Sequence, residues 1–173
     1  MPIDAETLHT LHLKRLSLGL FKKAAPQNHK SLSQNILGLN FTNPVGLAAG
    51  YDKFAQAVPA FEKLGFGFAE LGSVTPLGQP GNQRPRMHCL KADRAMINHM
   101  GLNNPGFDVF SERLEGHKAS LKFMPVIVNL AKGKAQEDTA ADYLAGLERF
   151  EKLADAIVLN LSCPNVTGFK NMQ

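Results

Sequence analysis

Asn98, Asn129, Asn160 and Asn165 stand at or beside points where apolar runs of the sequence break off. An asparagine amide carries donors and an acceptor together without charge, which suits a planar ring edged with alternating N–H and C=O groups. Pyrimidines and flavins both have such edges. A single Asn in such a place is more often a turn former, but four on one rim are hard to assign to turns alone. Lys53, Ser73 and Cys163 fall at comparable points. Ala48, Ala49 and Gly50 lack bulky side chains, which would let a flat cofactor approach the backbone closely. Taken alone, that small-residue signal is weak.

Four continuous apolar runs position these groups: residues 43–49, 68–74, 125–131 and 156–162. Continuous rather than alternating hydrophobicity is the pattern of parallel strands covered on both faces. Helical spacing lies between the runs. Phe54, Val58, Phe61 and Leu64 recur after the first, with Pro59 expected to kink that helix. Phe107, Phe110 and Leu114 follow Asn104-Pro105, which reads as a cap and a first-turn proline. Tyr143, Leu147, Phe150 and Ala154 follow a cap at Asp138. Strand–helix–strand repetition predicts an α/β fold with a parallel sheet and right-handed crossovers. In such folds function gathers at the carboxyl ends of the strands, where the polar residues named above fall.

Residues 75–104 are rich in Gly, Pro and Asn, with two short apolar stretches at 87–90 and 95–97. This interval is expected to be an insertion with a small hairpin on the ligand-facing rim. The first 36 residues form a separate helical extension, in which leucines interleave with His9, His12, Lys14, Arg15, Lys22 and Lys23. Such a segment fits either an interfacial helix on a membrane surface or a helix packed on the domain.

Composition narrows the function classes. At 173 residues and 44% apolar, the chain can bury a core. A net charge of +4, spread along the chain, gives no nucleic-acid surface. Cys89 and Cys163 are the two cysteines, without disulfide or zinc spacing, and the six histidines form no ligand pattern. No metal site is expected. The opening residues lack a secretory pattern, so a cytoplasmic location, extending to the inner face of the cell membrane, is the default.

The ordered stretches Asn43-Pro44-Val45-Gly46-Leu47-Ala48-Ala49-Gly50-Tyr51-Asp52-Lys53, Gly72-Ser73-Val74-Thr75-Pro76, Asn98-His99-Met100-Gly101-Leu102-Asn103-Asn104 and Asn160-Leu161-Ser162-Cys163-Pro164-Asn165 resemble dihydroorotate dehydrogenases. So do Gln79-Pro80-Gly81-Asn82 and Arg84-Pro85-Arg86. The resemblance implies a (β/α)8 TIM barrel, with residues 1–36 an extension and residues 37–173 the N-terminal half of the barrel. It implies FMN as cofactor and oxidation of dihydroorotate to orotate in pyrimidine biosynthesis, with quinone or another electron acceptor as oxidant. Carried over by position, Ala48, Ala49, Gly50, Lys53, Ser73, Asn129 and Asn160 would contact the flavin. Lys53, Asn98, Met100, Gly101, Leu102, Asn160 and Asn165 would hold the substrate, and Cys163 would be the catalytic base. Cys89 and His99 receive no role, and Arg84 and Arg86 are expected to pair with acids.

Two departures qualify the resemblance. The leading helix resembles the membrane-associated, quinone-reducing class, whereas Cys163-Pro164-Asn165-Val166 resembles the soluble class. The oxidant therefore stays open. A (β/α)8 barrel typically takes about 250 residues, so the chain is expected to be an incomplete fragment, inactive alone. Its phosphate-gripping loops and second family lysine would lie beyond Gln173. Two other functions remain open: a related flavin barrel acting on another dihydropyrimidine, or a non-catalytic half-barrel that needs another chain.

Overall fold

The computed structural model describes residues 4–24, 30–133 and 138–163. Helix α1 (Ala5–Ser17) opens the chain, capped by Asp4, whose carboxylate accepts from Thr7 N–H at 3.0 Å. A hairpin follows, β1 (Gln34–Ile36) with β2 (Leu39–Phe41), and straddles the expected boundary at residue 36. Then come β3 (Gly46–Leu47), α2 (Val58–Lys63) and β4 (Phe68–Val74). The rim insertion holds β5 (Leu77–Gln79), β6 (Met87–Leu90), β7 (Ala95–Asn98) and β8 (Asn104–Gly106). Helix α3 (Phe107–Lys118), β9 (Val126–Ala131), α4 (Thr139–Phe150) and β10 (Ala156–Asn160) complete the described elements.

Four strands form one parallel sheet in the order β3-β4-β9-β10, joined by α2, α3 and α4. Four parallel strands with three intervening helices are the arrangement of the first half of a (β/α)8 barrel. The outer faces of β4 and β9 bury Ala69, Leu71, Val126, Val128 and Leu130 in one core with Phe61, Phe110, Leu114 and Phe150 from the helices. Phe150 takes Phe107 and Phe110 edge-on at 5.3 and 5.7 Å. Leu13 and Leu16 of α1 belong to the same core.

All four expected strands are present; Phe68–Val74 has the expected bounds and the other three are shorter. The first is only Gly46–Leu47, because the Asn43 side chain folds back on Val45 N–H (3.0 Å) and donates to the Gly65 carbonyl (3.0 Å), bending the chain before the ladder begins. At Gly46 a Cβ would stand 2.1 Å from the Phe68 ring, so the strand pairs closely only with glycine there. The last strand ends at Asn160, whose carbonyl accepts from the Tyr143 hydroxyl at 2.6 Å. Among the described residues it is the outermost strand of the sheet, and Leu159 is 47% exposed.

Two helix expectations are corrected. Pro59 does not kink α2; the helix starts at Val58 and Pro59 sits in its first turn, where its missing N–H costs nothing. Asn104-Pro105 is not the cap of α3. Those residues pair with β5, and the Asn104 amide turns back to bond Thr75, while Gly106 (φ 86°) precedes the helix. The Asp138 cap is present, its carboxylate accepting from Ala140 and Ala141 N–H. The expected hairpin is β6–β7, in register from Met87↔Asn98 to Leu90↔Ala95.

Candidate active site

The loop after β3 is shaped by Asp52. Its fully buried carboxylate accepts backbone N–H bonds from Phe54 (3.3 Å), Gln56 (3.0 Å) and Ala57 (2.8 Å). This fixes the neighbouring Lys53, whose ammonium donates to Asn103 Oδ1 at 2.9 Å. Burial pushes the Lys53 ammonium down to about 8; Arg86 adds to the shift, and Glu6 and Cys163 oppose it. At Gly50 (φ 95°) a Cβ would meet nothing nearer than Lys53 Cε at 4.0 Å. Open space over a small-residue backbone is what a flat ring needs.

Lys53 lines a cleft of about 1060 Å³ together with Ala48, Ala49, Gly50, Asn98, Met100, Gly101, Leu102 and Cys163. Cys163 packs against Leu102 and Ala131. The structure thus gathers most of the sequence-derived site residues around one cavity. Asn165 lies outside the described residues.

Ser73, Asn129 and Asn160 are gathered separately, in a side-chain chain across β4, β9 and β10. Asn160 Nδ2 donates to Ser73 Oγ at 3.0 Å, and the Ser73 hydroxyl donates to Asn129 Oδ1. Asn129 Nδ2 donates to Glu70 Oε1 at 2.7 Å. Among the described residues, no cluster of three or more His, Cys, Asp or Glu side chains is arranged to hold a metal ion.

Helix α1 also lines the cleft, through Ala5, Glu6, His9, Thr10 and Leu13. Glu6 is buried, and its carboxylate takes Arg86 Nη2 at 2.6 Å, Arg86 Nε at 3.0 Å and Arg84 Nη2 at 2.8 Å. These guanidiniums hold the Glu6 carboxyl below its ordinary range. Arg86 also donates to the Pro80 and Asn82 carbonyls, tying α1 to the rim insertion. Arg84 and Arg86 therefore pair with an acid, as expected. On the other side, the Tyr51 hydroxyl lies 2.8 Å from His12 Nδ1, and His9 meets the Tyr51 ring edge-on at 4.9 Å.

Sequence reasoning missed Glu6, Asp52, Glu70 and Asn103 as site residues. Asn103 was within reach, since it belongs to the same polar motif as Asn98. Glu6 and Glu70 carried no local signal; the first sits in an amphipathic helix and the second inside an apolar run.

Comparison with known proteins agrees with this architecture. Residues 31–173 match the family model for dihydroorotate dehydrogenase. A dihydroorotate dehydrogenase (quinone) from Brucella anthropi is 46% identical over 170 residues, covering 98% of this chain and 46% of the relative. The mitochondrial quinone enzyme of Mus musculus is 42% identical over 176 residues, covering 99% and 45%. The crystal structure of the Eimeria tenella enzyme in complex with ferulenol superposes with a TM-score of 0.92 at 38% identity, covering 98% of this chain and 46% of that one. The chain spans about half the length of these relatives. With the family model matching from the hairpin onward and the strand order that of a barrel's first four repeats, the chain belongs to the dihydroorotate dehydrogenase family.

Proposed function

We propose that this chain provides the substrate half of an FMN-dependent enzyme that oxidises dihydroorotate to orotate and passes the electrons to a quinone. One observation carries this. A single cleft is lined both by Lys53, Asn98, Leu102 and Cys163 and by Ala5, Glu6, His9, Thr10 and Leu13 of α1. Lys53 and Asn98 suit an anionic pyrimidine, and the apolar lining from Leu13, Leu47, Phe54, Met96 and Met100 suits a hydrophobic acceptor. The names of the relatives, which specify quinone, point the same way.

Ala48, Ala49, Gly50, Lys53, Ser73, Asn129 and Asn160 would hold the flavin, and the open space over Gly50 fits its ring. When bound, FMN supplies a two-electron acceptor for hydride from substrate C6. Asn98, Asn160 and Asn165 would meet the alternating pyrimidine edge, with Met100, Gly101 and Leu102 shaping its pocket. Lys53 would face the substrate carboxylate, where a fixed cation favours an anion. Cys163 would take the C5 proton. Addition of dihydroorotate to the flavin-loaded protein without oxygen, in a chain long enough to close the barrel, is expected to bleach the flavin within seconds. Bleaching by dihydrouracil instead would assign the site to another dihydropyrimidine.

The outer face of α1 and the segment after it support peripheral membrane contact. Leu8, Leu11, Leu18 and Leu20 are exposed beside Lys14, Arg15, Lys22 and Lys23. No helix among the described residues is long and apolar enough to cross a membrane. Removing the residues before Ser31 is expected to lower partitioning onto anionic vesicles about tenfold. Unchanged partitioning in a sedimentation assay would leave α1 with a packing role alone.

A further inference from the structure

We propose that Glu70 is the positioning residue that fixes the orientation of Asn129 and Ser73, and so the direction of the asparagine array at its β4 end. The hydrogen bonds of this array all run one way. Ser162 N–H donates to Asn160 Oδ1 at 3.1 Å, and Asn160 Nδ2 donates to Ser73 Oγ at 3.0 Å. The Ser73 hydroxyl donates to Asn129 Oδ1, and Asn129 Nδ2 donates to Glu70 Oε1 at 2.7 Å.

An asparagine amide has two nearly isosteric orientations, and a hydroxyl donates its one proton in either direction. Nothing within Asn160, Ser73 and Asn129 chooses between them. A carboxylate does, because it only accepts. Glu70 draws the N–H side of Asn129 toward itself, which leaves Asn129 Oδ1 facing Ser73. The hydroxyl must then donate to Asn129 and accept from Asn160, and Asn160 Oδ1 is left to receive Ser162 N–H. Ser162 N–H, which only donates, fixes Asn160 in the same sense from the other end, so an obligate acceptor and an obligate donor hold three polar side chains on three strands in one direction.

The backbone makes this convergence. Register places Gly72 opposite Asn129, and Val158 opposite Asn129 on the other side. Simple alternation would send Ser73 to the face opposite Glu70. The irregularity between Gly72 and Val74 returns it to the face of Glu70 and Asn129. In this arrangement each amide keeps one N–H uncommitted among the described contacts. The array thus offers donors rather than acceptors, which matches a ligand edge made of carbonyl oxygen and ring nitrogen.

This inference rests on the flavin assignment, so its test has one readout that needs flavin and one that does not. FMN affinity is followed by fluorescence quenching, and melting temperature is followed in the apoprotein, both in a chain long enough to close the barrel. Asn129→Asp sets two acceptors against each other and is expected to weaken FMN binding about 30-fold, as befits loss of a hydrogen bond to a charged group. Adding Glu70→Gln to it supplies a donor amide where the acceptor was. The double variant should recover FMN affinity to within about fivefold and regain most of the lost melting temperature. A double variant no better than Asn129→Asp in either readout overturns the role of Glu70. Unsubstituted protein that takes up no FMN overturns the flavin assignment instead, and the melting temperatures still decide the role of Glu70.

Discussion

Cys163→Ala is expected to slow flavin reduction by dihydroorotate about 10²–10⁴-fold, the usual worth of a positioned general base. Removing a carbon-bound proton beside a carbonyl needs such a base within reach of the bound substrate. Cys163 lines the cleft that also holds Lys53 and Asn98, and packs against Leu102 and Ala131, so the sulfur is held on the cavity wall. The loop before it is tied to β10 through the bond from Ser162 N–H to Asn160 Oδ1. Alanine removes the sulfur without disturbing that tether, so substrate affinity should change by less than about threefold while the chemical step collapses. Cys163→Ser should keep part of the rate with its pH optimum moved upward, because a hydroxyl is a much weaker acid than a thiol. Stopped-flow reduction of the flavin across pH reads both effects. A wild-type rate in Cys163→Ala would make the sulfur structural and require another base.

The same residues show what was legible in the sequence. The four strands were visible because parallel strands covered on both faces are written as unbroken apolar runs. The grouping of Lys53, Asn98, Leu102 and Cys163 followed from the rule that strand ends share a rim. What decided the polar architecture was not local. Glu70 stands inside an apolar run, and its role depends on a partner on β9 and on a bulge that turns Ser73 to the same face. Glu6 and Arg86 are 80 residues apart and meet only because α1 folds over the rim insertion. Buried charges of this kind exist in pairs, and a sequence shows each member without its mate. Asn104-Pro105 misled for a related reason. Its local chemistry is that of a helix cap, but the amide found Thr75 across the rim and the dipeptide joined a strand.

Lys53→Met should weaken orotate binding about 10²-fold, the usual effect of truncating one side of a buried charged pair, and should abolish the pH dependence of that binding. Burial lowers the folded-state pKa of Lys53 from 10.5 to about 8. Below pH 8 the ammonium is charged in folded and unfolded chains alike, and its burial costs about 3 kcal/mol of stability at 1.36 kcal/mol per unit. Between pH 8 and 10.5 the unfolded chain binds this proton more tightly, so stability rises with pH across that window, and the cost is gone above it. A bound carboxylate acts in the opposite sense, because it favours the charged form and raises the pKa of Lys53. Ligand binding above pH 8 therefore takes up a proton. Orotate affinity should be level below pH 8 and fall about tenfold per unit above it. Lys53→Met keeps the apolar stem and removes the charge, so it should lose this falling limb and gain stability at pH 7. Calorimetric titration of the flavin-loaded protein with orotate between about pH 6.5 and 9.5 measures the limb directly, one unit of slope for one proton taken up. Wild-type affinity that stays level through pH 9 would show that the Lys53 ammonium does not meet the ligand's carboxylate.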